Sequence, residues 1–143
     1  MTVAAILKDK GGDVVTATPD TSLLEIAKIL RKHKIGCIVI RADGETIEGI
    51  VSERDLVRII ATDGPEALES PVTRCMTKKV VCCQESDTVD HVMAEMTSGR
   101  FRHIPVIQNE KLIGLVSIGD VVKQRIADAE MEAAAMRSYI ATG

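Results

Sequence analysis

The sequence predicts an α/β protein made from one strand–helix–strand–strand–helix unit that occurs twice, and three observations lead there. First, Gly49-Ile50-Val51-Ser52-Glu53-Arg54-Asp55 and Gly114-Leu115-Val116-Ser117-Ile118-Gly119-Asp120 place Gly, two apolar residues, Ser and Asp at identical spacing. Second, the echo runs further. Asp13-Val14-Val15 falls on Lys79-Val80-Val81, 66 residues on, and Leu23, Ile26, Ala27 and Leu30 fall on Val89, Val92, Met93 and Met96. Ile38-Val39-Ile40 falls on Ile104-Pro105-Val106 at the same shift, whereas the motif glycines are 65 apart, so the second copy's loop is one residue shorter. Third, short β-branched runs alternate in each copy with apolar residues at helical spacing.

In chain order, Val3, Ile6 and Leu7 suit one or two helical turns, broken by Lys10-Gly11-Gly12-Asp13. Val14–Ala17 reads as a short strand. Thr18-Pro19-Asp20-Thr21-Ser22 starts a helix, with Thr21 or Ser22 as N-cap and Glu25 placed for a capping box. Leu23, Ile26, Ala27 and Leu30 form its apolar face, and Lys28, Arg31, Lys32 and Lys34 a basic outer one. Ile35-Gly36 ends that helix, and Cys37–Ile40 is a buried strand. Ala42-Asp43-Gly44-Glu45 forms a hairpin turn, Thr46–Val51 returns, and Ser52 caps a helix through Asp55, Leu56, Ile59 and Ile60.

The units divide as 1–62 and 72–127, with a Gly/Pro linker at 63–71. In the second unit, Val72–Lys78 repeats the short opening helix. A strand at 80–83, a helix at 88–98, a strand at 103–107, a turn at Gln108-Asn109-Glu110, a strand at 111–116 and a helix from Gly119 follow. Residues 128–143 extend that last helix and would expose Met131, Ala134, Ala135 and Met136, a face that self-association would cover.

A chain of 143 residues can bury about two thirds of its unfolded surface in one domain. Apolar residues at 45% and charged ones at 27% argue against wholesale disorder. A net charge of −3 argues against general nucleic-acid or membrane-surface binding, and aromatic stacking platforms are missing, with Phe101 and Tyr139 the only aromatics. A bound nucleobase would lie between aliphatic walls. The N-terminus lacks a signal-peptide pattern and no stretch is long enough to span a membrane. Cys37, Cys75, Cys82 and Cys83 form no Cys-x-x-Cys pair, and His33, His91 and His103 show no ligand spacing with them, so free thiols in a reducing cytoplasm and no metal are expected. Adjacent Cys82 and Cys83 cannot readily pair and read as buried strand residues.

Gly-apolar-apolar-Ser-x-x-Asp at a strand-to-helix junction has a chemical reading. A helix N-terminus favours an anion such as phosphate. The serine hydroxyl caps the helix or donates to phosphate, and the aspartate one turn in can accept two hydrogen bonds from a ribose diol. Ser-x-x-Asp is also an ordinary helix start. Its recurrence at equivalent points of a repeat supports the functional reading.

These two signatures, together with Ile35-Gly36-Cys37-Ile38-Val39 and Arg102-His103-Ile104-Pro105-Val106, resemble the CBS (cystathionine β-synthase) motif over residues 3–125. The resemblance implies two motifs packed sheet to sheet with pseudo-twofold symmetry, two clefts at that interface, and modules that pair into dimers. Such clefts take AMP, ADP, ATP, S-adenosylmethionine or NAD(H). It implies that Asp55 and Asp120 hold ribose hydroxyls and that Ser52 and Ser117 contact phosphate or ribose. By the family's crossed arrangement, Thr16, Ala17 and Thr18 serve the Asp120 cleft, and Cys82 and Cys83 the Asp55 cleft. Ile35, Ile104 and Pro105 would form apolar walls for adenine.

The clefts differ. Arg102 and His103 stand near Asp120 and can meet a phosphate, while Gly36 and Cys37 occupy the matching positions near Asp55, with Arg54 and Lys34 as compensating charges. The expectation is a cytoplasmic, non-catalytic sensor of adenosine nucleotides, requiring no cofactor, that signals as a homodimer to an effector on another chain. The rival expectation is a dimerisation module without a ligand. No nucleophile–base–orienter trio is implied by the spacing, so no catalysis is expected.

Overall fold

The computed structural model describes residues 1–42 and 46–142. Its elements are α1 (Val3–Lys10), β1 (Thr16–Ala17), α2 (Leu23–His33), β2 (Cys37–Arg41), β3 (Ile47–Ser52), α3 (Glu53–Asp63), α4 (Val89–Gly99), β4 (His103–Gln108), β5 (Lys111–Ser117) and α5 (Ile118–Thr142), with 3-10 turns at Pro65–Glu69 and Val72–Arg74. One sheet runs β1-β2-β3, with β1 parallel to β2; the other is the antiparallel pair β4-β5.

The repeat is kept in fine detail. Cys37 pairs with Ser52 as His103 pairs with Ser117, and both ladders carry an irregularity at the same point, Ile40/Arg41 and Val106/Ile107. Ser22 accepts from the Glu25 amide and Thr88 from the His91 amide, so α2 and α4 start alike. They also end alike, on Lys34 and Arg100 in the left-handed region (φ 54° and 56°). Both are non-glycine residues in a conformation that costs L-amino acids about 1 kcal/mol or more. Helix α2 thus stops at His33, before Ile35-Gly36, because an αL residue closes it.

Each unit has its own core. Ile38 and Ile40 pack with Leu23, Ile26, Leu30, Val51 and Leu56, and Ile104 and Val106 with Val89, Val92, Met96, Val116 and Val121. Cys37 and Val39, on the other face of β2, are buried as well yet belong to neither cluster. With period-two alternation, that face, like the His103 and Pro105 face of β4, is covered by the other unit. A Cβ added at Gly36 would stand 3.5 Å from the His103 ring, which marks where the units meet.

The opening segments are exchanged. Val3 and Ile6 of α1 belong to the second unit's core, and Val72 to the first unit's. Leu7 lies so close on Gly114 that a Cβ there would come within 2.5 Å, and Met76 lies likewise on Gly49 at 2.6 Å. The motif glycine is thereby explained as the seat of the opposite opening segment. Ile50 and Thr77 exchange backbone hydrogen bonds of 3.0 and 2.9 Å across the same contact.

Three expectations change, and two hold. Residues 80–83 form no strand; Cys83 alone bridges Val106, its amide and carbonyl bonded to Pro105 O and Ile107 N, because Pro105, which stands where the first unit has Val39, has no N–H to repeat the bond from the Val39 amide to the Val15 carbonyl. The 63–71 linker is structured, its 3-10 turn burying Ala67 in the first core. The second opening helix is a 3-10 turn of three residues, where α1 has eight. Tight hairpin chemistry is seen at Asn109 and Glu110, both at positive φ (51° and 65°) as a type I′ turn needs. The turn expected at Asp43-Gly44 lies outside the described residues. Helix α5 runs unbroken to Thr142, as its Ala, Glu and Met content predicts.

Candidate functional site

Ser52 and Ser117 end β3 and β5 and cap the helices that follow. The Ser52 amide donates to Asp55 Oδ2 at 2.8 Å, and the Asp55 amide to Ser52 Oγ at 3.4 Å. The same reciprocal pair joins Ser117 and Asp120, at 2.8 and 3.2 Å. This is a capping box with aspartate in the third helical position. The first helical amides, Glu53 and Ile118, donate to the carbonyls of Gly36 and Arg102. Two of the first three amides of each helix are therefore satisfied by the protein itself. Capping commits one carboxylate oxygen and fixes the orientation of the other, so the cap does not use up the side chain's capacity to accept hydrogen bonds.

The surroundings of the two aspartates differ. Lys10, in the last turn of α1, donates to Asp120 Oδ2 and to the Leu115 carbonyl, both at 2.7 Å. Burial alone would raise the Asp120 carboxyl, but hydrogen bonds from Lys10 and Ser117 and the lysine charge outweigh it and hold the carboxyl below its ordinary range. Among the described residues, every hydrogen bond to this carboxylate goes to Oδ2, which leaves Oδ1 available. The corresponding charge at Asp55 is Arg58, 3.9 Å away and largely exposed.

His103 lies beside this centre. Burial, with the Lys10 and Arg102 charges, holds its imidazole below the ordinary 6.5, and Asp120 and Glu53 act the other way. Arg102 is exposed at the mouth of the same helix start. In the first unit Cys37 occupies the equivalent place, its thiol pushed up to about 12 by burial first and by the Asp55 charge second. A groove of about 540 Å³ opens beside Asp120, lined by Ile6, Asp9, Lys10, Asp120, Lys123, Gln124 and Ala127. Its size lies within the range of small-molecule pockets. Lys123 and Asp9 bridge it at 3.2 Å.

The structure brings Ser117, Asp120, Arg102 and His103 together, and Ser52, Asp55 and Cys37. It adds Lys10, which belongs to the stretch expected only to break the first helix and is instead that helix's last residue. No motif marks it, since it reaches Asp120 from 110 positions away. Ile104 is corrected: it is fully buried in the second core, because even-numbered residues of β4 face the helices, and it lines no open wall. Pro105 sits on the opposite, inter-unit face. Ile35 is half-buried against the first core and Arg54 is exposed. Thr16 and Ala17 pair with Val39 and Ile40 of their own unit, and Thr18 bonds to Asp20. Burial raises the Cys82 thiol and pushes Cys83 up to about 12, which keeps both protonated and poor nucleophiles. Among the described residues no group of His, Cys, Asp and Glu is arranged to hold a metal, and no helix is long and apolar enough to cross a membrane.

Comparison with known proteins agrees with this architecture. The family model described as "CBS domain" matches twice, at residues 4–62 and 72–126. The CBS-domain containing protein ATU1752 of Agrobacterium tumefaciens superposes with a TM-score of 0.86 at 48% identity, over 87% of this chain and 99% of that one. The CBS domain pair of protein MJ0100, solved with 5-methylthioadenosine and S-adenosyl-L-methionine, superposes at 0.79 with 26% identity, over 90% and 98%. The mitochondrial CBS domain-containing protein CBSX3 of Arabidopsis thaliana is 33% identical over 99% of this chain and 73% of its own length.

Proposed function

The chain belongs to the CBS-domain family, and from that premise we propose that it is a non-catalytic regulatory module that binds adenosine-containing ligands. The observation that carries this reading is the pair of capped aspartates, each held by one oxygen and offering the other. The MJ0100 pair, crystallised with two adenosine derivatives, supports the ligand class. In this reading Asp120 Oδ1 accepts from the ribose diol, Ser117 meets ribose or phosphate, and Pro105 with the Thr16–Thr18 segment borders the base. Lys10, Arg102 and His103 make the second cleft the one for phosphate-bearing ligands such as AMP, ATP or NAD(H). The Asp55 cleft, bordered by Cys82 and Cys83, lacks that charge and suits a ligand with less of it.

Binding across two units whose opening segments are exchanged would shift one unit against the other, and a homodimer would pass that shift to an effector protein. Such a shift requires unequal affinity for two arrangements. A ligand-free dimerisation module is the second reading, favoured by the Lys10 bridge that already neutralises Asp120.

Isothermal calorimetry against AMP, ATP, NADH and S-adenosylmethionine decides between them, with Asp120→Asn as the control. Asparagine keeps the cap and removes the charge. Micromolar binding that weakens at least about tenfold in the variant, roughly the 1.4 kcal/mol of one charged hydrogen bond, supports the sensor. No heat from any ligand with an intact fold supports the dimerisation module.

A further inference from the structure

From Ala129 to Thr142 every residue of α5 is exposed. Along α5, Val122, Ile126, Ala129, Ala133, Met136 and Ile140 recur at alternating steps of four and three, and all six are exposed, Ile126 at 55%, Met136 at 60% and Ile140 at 71%. That spacing is the 3.5-residue period of a two-stranded coiled-coil seam. The face differs from the one expected from composition. Of Met131, Ala134, Ala135 and Met136, only Met136 lies on the seam, and Met131 instead lines a groove with Val89 and Arg125.

The flanking charges choose the occupant and its direction. Arg125 and Glu132 precede the seam positions Ile126 and Ala133, while Glu130 and Arg137 follow Ala129 and Met136. In a parallel, in-register pair of α5 helices, Arg125 faces the partner's Glu130, and Glu132 faces the partner's Arg137. Both pairs attract. An antiparallel pair centred on the same seam would set Glu130 and Glu132 each against its own copy and Lys123 against the partner's Arg137. All three repel. We infer that the 122–140 face of α5 is the docking surface for a second copy of this chain, joined as a parallel two-stranded coil.

The seam is under three heptads long and holds two alanines, so it acts with the rest of a dimer rather than alone. The inference therefore rests on the dimer in the proposed function, and it is independent of any ligand. Arg125 now bridges Asp90 at 3.2 Å while remaining 44% exposed, which leaves it free to be shared.

The test uses the full chain. Ala129→Cys and Met136→Cys, made separately, each give a disulfide-linked dimer under mild oxidation that the unsubstituted chain does not, because a parallel pair sets each seam position against its own copy. In sedimentation velocity, Ile126→Asp raises the dimer dissociation constant at least about tenfold. Glu132→Arg raises it about threefold, and Glu132→Arg with Arg137→Glu restores it. Cross-linking at neither position, or at only one, overturns the inference, as does an unsubstituted chain that is monomeric. Nucleotide calorimetry on the same samples separates the two readings. Lost cross-linking with intact binding removes the seam alone, and lost binding with intact cross-linking removes the sensor alone.

Discussion

The two aspartate sites are built from one template and finished differently. Ser52 and Asp55 repeat the backbone geometry of Ser117 and Asp120, down to the 2.8 Å bond from serine amide to carboxylate. What differs comes from outside the signature. Leu7 and Met76 do equivalent work on Gly114 and Gly49, yet Leu7 stands six positions before Asp13 and Met76 only three before Lys79. The three additional residues give α1 nearly one more turn, and Lys10 sits on it. A short difference in a connecting segment thus gives one site a hydrogen-bonded cation and leaves the other with only the exposed Arg58 at 3.9 Å, although the segment belongs in sequence to the opposite repeat.

The largest expected effect tests whether the halves are one folding unit. Ile38→Ala and Ile104→Ala, at equivalent fully buried positions, should each cost about 2–5 kcal/mol. Both should lower the midpoint of a single urea transition. Two separate transitions would break the comparison, because the exchanged opening segments tie each core to the other half.

Gly12→Ala should cost about 1–3 kcal/mol by the same measurement. Its Cβ would meet the Ile113 carbonyl at 2.6 Å, and backbone cannot step aside as the ends of Leu7 or Met76 can. The variant should also pull Lys10 away from Asp120. An unchanged midpoint would mean that α1 is not seated on β5.

Lys10→Met should cost about 0.5–1 kcal/mol, the value of a partly exposed ion pair, and Arg58→Met at the first site close to nothing. Combined with Asp120→Asn the losses should be less than additive. Equal effects at the two sites would erase the asymmetry.

His103 sharpens the contrast through pH. Its folded pKa lies below the ordinary 6.5, so the unfolded chain takes up the proton first. The histidine's contribution is fully present above pH 6.5 and is lost as pH falls from there through the folded value. His103→Gln should flatten that part of the stability profile, read by urea denaturation at a series of pH values. Asp120 acts in a lower window, its contribution lost as pH falls from about 3.8 through its depressed folded value.

The smallest effects should be equal in the two halves. Lys34→Gly and Arg100→Gly each relieve a left-handed residue and should stabilise by about 0.5–1 kcal/mol. A gain at one position only would show that the helix ends are not equivalent.

Much of this was legible in the chain. Leu23, Ile26 and Leu30, and Val89, Val92 and Met96, announced α2 and α4 because a helical period buries one face. Ser-x-x-Asp announced both helix starts, since a cap is a bond over three residues. Cys82-Cys83 misled, because a β-branched run does not show that the strand beside it carries Pro105, which lacks the N–H that a longer parallel ladder needs. Ile104 misled for a related reason: which face of β4 meets the helices depends on register, and a one-residue difference moves a side chain from core to interface.

By itself, then, the sequence determined the repeat, most of the order of elements, the two capped aspartates and the continuation of α5, all consequences of patterns within a few residues. Only the tertiary structure decided that α1 serves the second unit, that Gly49 and Gly114 are seats for Met76 and Leu7, and that Lys10 completes the site of Asp120. Those contacts join positions up to 110 residues apart. They depend on the three-dimensional crossing of two chain segments, which no local spacing encodes.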